Sequence, residues 1–195
     1  MYIDNLIKKF GYSEMYEWSE LFKYDIVPFG RFVTLSHNDP GKIKLYKNDN
    51  DLIIGVTTIN AVCTSDDPDE WQGKYLCNEF GDHFLQEKPK AEAYNGYDDL
   101  EEMPYIGTVR KTEVVPVINE QYEHELTYKK RSERNEWIRV NLLGKCIVVD
   151  NGQCMPGHYC MPDEGGIAVP HNNVSLYKYY VIDRLTENTI MIFFK

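Results

Sequence analysis

From residue 31 onward, apolar and polar positions follow the two-residue period of strands rather than the 3.6-residue period of helices. RFVTLS (31–36) and KIKLY (42–46) lead into a polar NDND turn at 48–51, and LIIGVTT (52–58) follows it. GKCIVVDNGQC (144–154) reads as a hairpin, because Ile147, Val148 and Val149 run into Asp150-Asn151-Gly152. An Asn-Gly pair suits a turn with positive φ. Toward the C-terminus the pattern repeats as KYYVIDRL (178–185), TEN (186–188) and TIMIFFK (189–195). The last strand is apolar on both faces, which predicts burial on two sides or a place at a subunit contact.

Two stretches depart from strand periodicity. Ile3, Leu6, Ile7 and Phe10 lie at helical spacing, and Gly11 stands where a helix would stop. Such an amphipathic stripe needs cover from the domain body or from a second copy of the chain. QEKPKAEAYNGYDDLEEMP (86–104) is polar and rich in turn residues, so 85–113 is expected to be a long loop or protruding hairpin. The fold class is therefore mostly β, sandwich-like or barrel-like and built from antiparallel hairpins. Short helices are expected at the N-terminus and around 118–136. The organisation is an N-terminal helical segment at 1–13 and a β domain at 14–195 with a variable insertion at 85–113.

Composition and charge remove several function classes. The 195 residues are 43% hydrophobic and 27% charged, as in ordinary soluble globular proteins. A net charge of −10 argues against a partner with a phosphate backbone. The densest basic run is Lys129, Lys130, Arg131 and Arg134; interleaved with Glu133 and Glu136, it reads as a solvated strip. No apolar run approaches the roughly 18 residues of a membrane span, so neither nucleic acid nor membrane is an expected partner. The start, MYIDNLIKKF, is charged and has no signal-peptide core, which predicts a cytoplasmic origin. Five cysteines, an odd number, fit unpaired thiols in a reducing compartment.

Candidate chemistry is sparse. Cys146, Cys154, His158 and Cys160 have the spacing C-x7-C-x3-H-x-C, unlike the close ligand pairs of zinc sites. Small buried thiols in a β core explain them more simply, and no metal is expected. SDDPDEW (65–71) lacks the full spacing of a calcium loop and reads as an acidic turn before a packed Trp71. There is no phosphate-cradling glycine loop, no G-x-S-x-G and no H-E-x-x-H. The histidines at 37, 83, 124, 158 and 171 are scattered singly. No cofactor and no multiple-turnover chemistry are expected.

Several stretches in register resemble one family. They are EMYEW (14–18), GRFVTL (30–35), DLIIGVTT (51–58), EWQGKYLCNEFG (70–81) and VPVINEQYE (115–123). RSERNEW (131–137), NLLGKCIVVDNGQCMPGHYC (141–160), GIAVP (166–170) and RLTENTIMIFFK (184–195) continue the series. Together they resemble the autoproteolytic intramolecular-chaperone domain, peptidase "G two", found at the C-terminus of bacteriophage tail-spike and neck-appendage proteins. The resemblance implies a trimerisation chaperone fused behind an elongated β-helical spike, cut from it once after assembly. The family's cleavage segment resembles Asp-aromatic-Ala-Glu-Tyr-aromatic-Glu-Trp, cut just before the Asp. Two carboxyls can divide such work as general base or nucleophile and as acid, given separated pKa values.

Aligned on Trp18, the family glutamates fall on Glu14 and Glu17, the first aromatic on Tyr12 and the small residue on Ser13. The aspartate falls on Gly11, so the cleavage-equivalent bond is Phe10-Gly11 and half of the acid pair is absent. The resemblance then implies that Glu14 serves as a structural hydrogen-bonder. With Met1 only ten residues upstream, a free-standing domain or a fragment is expected, kept as a piece of a tail, appendage or capsid.

The expected function is that of a viral structural or assembly protein that self-associates as a trimer, with autocleavage lost. Its partners are other copies and an upstream spike or other virion proteins, in a virion assembled in the host cytoplasm. Ile3, Leu6, Ile7, Phe10, Met191 and Phe193 are the expected self-contacts. One alternative is a single-turnover autoprotease in which Glu14 acts with Glu17 or an acid from elsewhere. A second is a carbohydrate-binding or receptor-binding tip in which tyrosines such as Tyr94 and Tyr97 stack on sugars.

Overall fold

Alternating burial along residues 12–17 shows how this chain makes a strand. Ser13 and Met15 are buried while Tyr12, Glu14 and Tyr16 point the other way, as a period of two requires. The structure is a computed structural model, described here for residues 11–19, 28–48, 51–89, 112–171 and 178–195. It divides into two units, Met1–Asp69 with Lys129–Lys195, and Glu70–Tyr128. The expected N-terminal helix with Ile3, Leu6, Ile7 and Phe10 lies outside the described residues.

The first unit carries β1 (Tyr12–Glu17), β2 (Phe32–Leu35), β3 (Ile43–Leu45), β4 (Ile53–Thr58) and β5 (Cys63–Ser65). The second carries β6 (Leu85–Pro89) and β7 (Thr112–Pro116). The first then resumes with β8 (Trp137–Val149), β9 (Tyr159–Asp163), β10 (Ile167–Pro170), β11 (Tyr179–Thr186) and β12 (Thr189–Phe194). Its ten strands form one sheet in the order β10-β9-β11-β12-β8-β4-β2-β3, with β1 laid between β8 and β5. All pairings but that of β1 with β5 are antiparallel.

The sheet curls until its ends meet. Phe32 N–H donates to the Gly166 carbonyl at 2.9 Å, and Gly165 N–H donates to that of Tyr46 at 3.0 Å. A Cβ at Gly166 would lie 2.3 Å from the Phe32 oxygen, so only glycine allows this closure. Inside the curl, the Tyr179 ring is 5.0 Å from both Phe32 and Phe194, amid Val56, Val148, Val181, Ile190 and Ile192. A smaller cluster gathers Trp18, Val33, Ile43, Ile138 and Val140. Each such fully buried apolar side chain contributes about 1.5–3 kcal/mol.

Two sequence expectations need correction. Among the described residues, 118–136 holds only a single 3-10 turn, Arg131–Glu133, and no α-helix. Asn119 caps its own backbone through Gln121 N–H at 3.0 Å, and its N–H bonds the Lys74 carbonyl, so the segment spends its polar groups outside a helix. The Asn151-Gly152 turn forms, with φ +83° at Gly152, but it does not close a hairpin. The chain runs on to β9, and β8 pairs instead with β12, from Thr189↔Val149 to Phe194↔Gly144.

In the second unit β6 and β7 pair as an antiparallel ribbon from Leu85↔Pro116 to Pro89↔Thr112. The residues between them, 90–111, lie outside the described set, as do Tyr94 and Tyr97. No described side chain of this unit is buried. A two-stranded ribbon alone is marginally stable in water.

Asp51 ties the β3–β4 connection. Its buried carboxylate accepts from Lys44 Nζ at 3.0 Å and from the N–H of Lys47 at 3.1 Å. Burial alone would raise its pKa, but these bonds outweigh it and hold the carboxyl below its ordinary 3.8. A depressed folded pKa gives stability that is present above the unfolded value and lost as pH falls through the folded one. The urea midpoint of the parent should therefore fall on acidification below about pH 4, and that of Asp51→Asn should fall less. Equal slopes would show that Asp51 contributes nothing.

Candidate functional site

Glu14 sits on the outward face of β1 with Tyr12 and Tyr16 on either side of it. Tyr12 OH donates to Oε1 at 2.9 Å and Tyr16 OH donates to Oε2 at 3.1 Å. The parallel pairing with β5 puts Ser65 opposite Glu14, and Ser65 Oγ is 2.6 Å from the Tyr12 hydroxyl. Burial, followed by the Glu14 charge and hydrogen bond, pushes the Tyr16 phenol up to about 12. Both carboxylate oxygens of Glu14 thus accept a hydrogen bond. Alternation 12, 14, 16 against 13, 15 is the signal for this ladder, and it was readable in the sequence.

Glu17 is no partner for Glu14. Residues three apart in a strand point to opposite faces, and Glu17 pairs with Lys42 Nζ at 2.6 Å. Three residues of strand also separate Glu14 from residue 11 by about 10 Å. The described geometry therefore brings neither glutamate to the N-terminal side of Gly11.

Gly11 is packed into the sheet. Its φ is +68°, a conformation that L side chains rarely adopt. A Cβ there would lie 2.3 Å from Asn141 Oδ1, 2.5 Å from its Nδ2 and 2.4 Å from the Leu143 carbonyl oxygen. The Gly11 carbonyl accepts from Val62 N–H at 3.1 Å. Gly144 (φ +99°) backs onto the same spot, where its own Cβ would be 3.1 Å from Gly11 Cα. Asn141 is 1% exposed; its Nδ2 donates to the Lys145 carbonyl at 3.0 Å, while Oδ1 finds no hydrogen bond. Asn141 was missed by sequence reasoning, because nothing in its neighbourhood marks it as the wall of residue 11.

The acidic and basic runs singled out from the sequence answer each other. Asp66 pairs with Arg131 and Asp69 with Lys130, while Asp67 accepts from Ser132 N–H at 3.0 Å. The Arg131 and Arg134 guanidinium carbons stand 4.2 and 5.4 Å from the Trp137 ring centroid. The basic strip is therefore not merely solvated: it clamps the 65–69 loop. Trp71 keeps one side exposed and packs on Tyr128 at 5.5 Å.

Cys146, Cys154 and Cys160 are buried in the core, as the reading of small packed thiols expects. Burial pushes the Cys146 thiol up to about 12, partly offset by the Asn141 hydrogen bond. The bond to Cys154, and then burial, push the Cys160 thiol up. Among the described residues, no three His, Cys, Asp or Glu side chains gather as metal ligands would. Of the expected self-contacts, Met191 is 7% exposed, already covered within the chain, and Phe193 is 44% exposed.

A family model described as Peptidase_G2, IMC autoproteolytic cleavage domain, matches residues 7–189. The preneck appendage protein of Bacillus phage PZA is 26% identical over 162 residues, 83% of this chain and 16% of that protein. The pre-neck appendage protein of Bacillus phage B103 is 27% identical over 137 residues, 70% of this chain and 14% of that protein. This chain thus spans a small fraction of those relatives. Among solved structures, the bacteriophage phi29 gene product 12 C-terminal fragment superposes with a TM-score of 0.63 at 25% identity, over 94% of this chain and 99% of the fragment. The pre-mature phi29 gene product 12 superposes with a TM-score of 0.67 at 23% identity, over 96% of this chain and 22% of that one.

Proposed function

The chain belongs to the Peptidase_G2 family of IMC autoproteolytic cleavage domains, and from that premise we propose that it is a phage assembly domain that self-associates as a trimer and no longer cuts itself. The observation that carries the loss of cleavage is Gly11. The position aligned with the family aspartate has no side chain, and its surroundings, Asn141 and Leu143, leave no space for one. Glu14 remains, but its oxygens serve Tyr12 and Tyr16.

Self-association is supported by apolar surface that one chain leaves uncovered. In the second unit Phe80, Phe84, Leu85 and Val114 are exposed on a frame with no buried side chain of its own among the described residues. Exposed apolar patches of this kind mark interaction sites. Two relatives are named as phage pre-neck appendage proteins, which supports a role in a phage appendage; on this reading the partners are further copies and other virion proteins, and the location is a virion assembled in the host.

The test joins a folded protein ahead of Met1 and follows intact mass for days, with sedimentation of the unfused chain alongside. The expected results are an uncut fusion and a species near three times 22.9 kDa. A cut at Phe10-Gly11 overturns the loss of cleavage, and a purely monomeric chain at micromolar concentration overturns self-association.

A further inference from the structure

One row of side chains crosses four strands on the outer face of the curled sheet. Tyr159 of β9 stands opposite Tyr180 of β11, Tyr180 opposite Phe193 of β12, and Phe193 opposite Lys145 of β8. Their chain neighbours Cys160, Tyr179, Ile192 and Cys146 belong to the core, so strand alternation turns the row outward. All four members of the row are exposed. The Tyr159 and Tyr180 rings meet edge to face at 5.7 Å, and Lys178 Nζ lies 4.8 Å from the centre of the Tyr159 ring. At ordinary strand spacing the row is about 14 Å long. It is three aromatic rings with a lysine at either end.

The second unit is made of the opposite charge. Residues 70–128 hold 13 of the 31 acidic residues and 5 of the 21 basic ones, which is −8 of the net charge of −10. On the ribbon, Leu85 pairs with Pro116 and Glu87 with Val114. These four residues share one face by alternation, and Leu85, Glu87 and Val114 are exposed on it. That face is apolar with a carboxylate set in it, whereas the row is aromatic with ammonium groups beside it. Apolar, aromatic-rich centres and opposite charges are what partner surfaces bring together.

We propose that the row receives the ribbon face of a second copy of this chain, with Leu85 and Val114 against the three rings and Glu87 toward the lysines. The proposal rests on the self-association argued above and names its two contact surfaces. A closed trimer needs a contact of this kind, because a three-membered ring joins one patch on each copy to a different patch on the next. Like faces would work against each other. A row packed on a second row brings lysine toward lysine, and two ribbon faces bring Glu87 toward Glu87. Like charges so placed cost free energy, and opposite ones select the partner.

The test uses two variants and their mixture. Phe193→Asp disables the row and Val114→Asp the ribbon face, and both side chains are exposed, so neither change reaches the core. Lys145→Glu with Lys178→Glu disables the row a second way and should behave as Phe193→Asp does. In sedimentation, each variant alone should need at least about tenfold more protein to assemble than the parent. An equimolar mixture of Phe193→Asp and Val114→Asp should form a two-chain species, because one intact row and one intact ribbon face remain in each mixed pair. A parent that stays at 22.9 kDa refutes self-association itself. A parent that assembles, beside a Phe193→Asp or Val114→Asp chain that assembles equally well, refutes this interface and leaves self-association standing. Weakened variants whose mixture stays single-chain, well above the concentration at which the parent assembles, refute the pairing of the two faces.

Discussion

Gly11→Asp is expected to destabilise the domain rather than restore cleavage. Simple alignment suggests the opposite, because aspartate is the residue that the family places there. The backbone decides the matter. At φ +68° a residue other than glycine costs about 1–2 kcal/mol. Forcing atoms into a filled space costs about 1–3 kcal/mol more, and here the Cβ alone would overlap Asn141 and the Leu143 oxygen. A carboxylate would also lose water against a carbonyl oxygen and the unbonded Asn141 Oδ1. For a chain of this size the sum corresponds to a drop in thermal midpoint of roughly 5–15 °C. Scanning calorimetry of the parent and the variant checks it, with intact mass of the fused forms alongside. A Gly11→Asp protein that melts with the parent would refute the packing argument, and one that cuts itself while the parent stays intact would show that Glu14 is still poised and that only its partner acid was lost.

The same residue shows where sequence reading stops. That position 11 lacks a carboxylate was legible from the aligned motif. That Asn141 and Gly144 stand against it was not, since both lie far along the chain and meet it only through the pairing of β1 with β8. Glu17 illustrates a related limit. As one of two family glutamates it looked like a stand-in acid, yet strand alternation turns it to the opposite face and gives it Lys42.

Strands with a clean period were legible in place: 31–36, 52–58, 178–185 and 189–195 contain β2, β4, β11 and β12. The errors came where local chemistry competes with periodicity. Asn151-Gly152 announces a turn but not which strand follows, and the partner of β8 proved to be the chain's last segment. Around 118–136, Asn119 and the Arg131–Trp137 stack hold an irregular chain that the sequence pattern suggested was helical. The acidic and basic runs were each read alone as solvated or turn-forming. Their mutual pairing needed the folded register of β5 beside β1.

Asp150→Ala is the other substitution expected to have a large effect, and it falls among the residues that first looked like a metal site. The Asp150 side chain is wholly buried. Its Oδ2 accepts from Arg184 Nη2 at 2.7 Å and from Cys154 N–H at 3.0 Å, and Oδ1 accepts from Arg184 Nη1 at 3.3 Å. Arg184 goes on to donate to the carbonyls of Glu187 at 2.7 Å and Thr186 at 3.2 Å, and to that of Cys154. One carboxylate therefore pins the 150–154 segment to the β11–β12 turn, beside the core that holds Cys154 and Cys160. Removing it leaves a guanidinium facing only carbonyls and a buried N–H without an acceptor. Leaving buried donors without their acceptor costs about 1–3 kcal/mol each, and losing the clasp should lower the thermal midpoint by roughly 5–10 °C for a chain of this length. Asp150→Ala with Arg184→Met should recover part of that loss, because the stranded charge is gone. Loosening the segment should also open Cys154 to a thiol reagent that, in the parent, reaches the exposed Cys63 first. Calorimetry and thiol titration check the two effects separately. A variant that melts within about 3 °C of the parent, with Cys154 still protected, would show that this clasp contributes little to the fold.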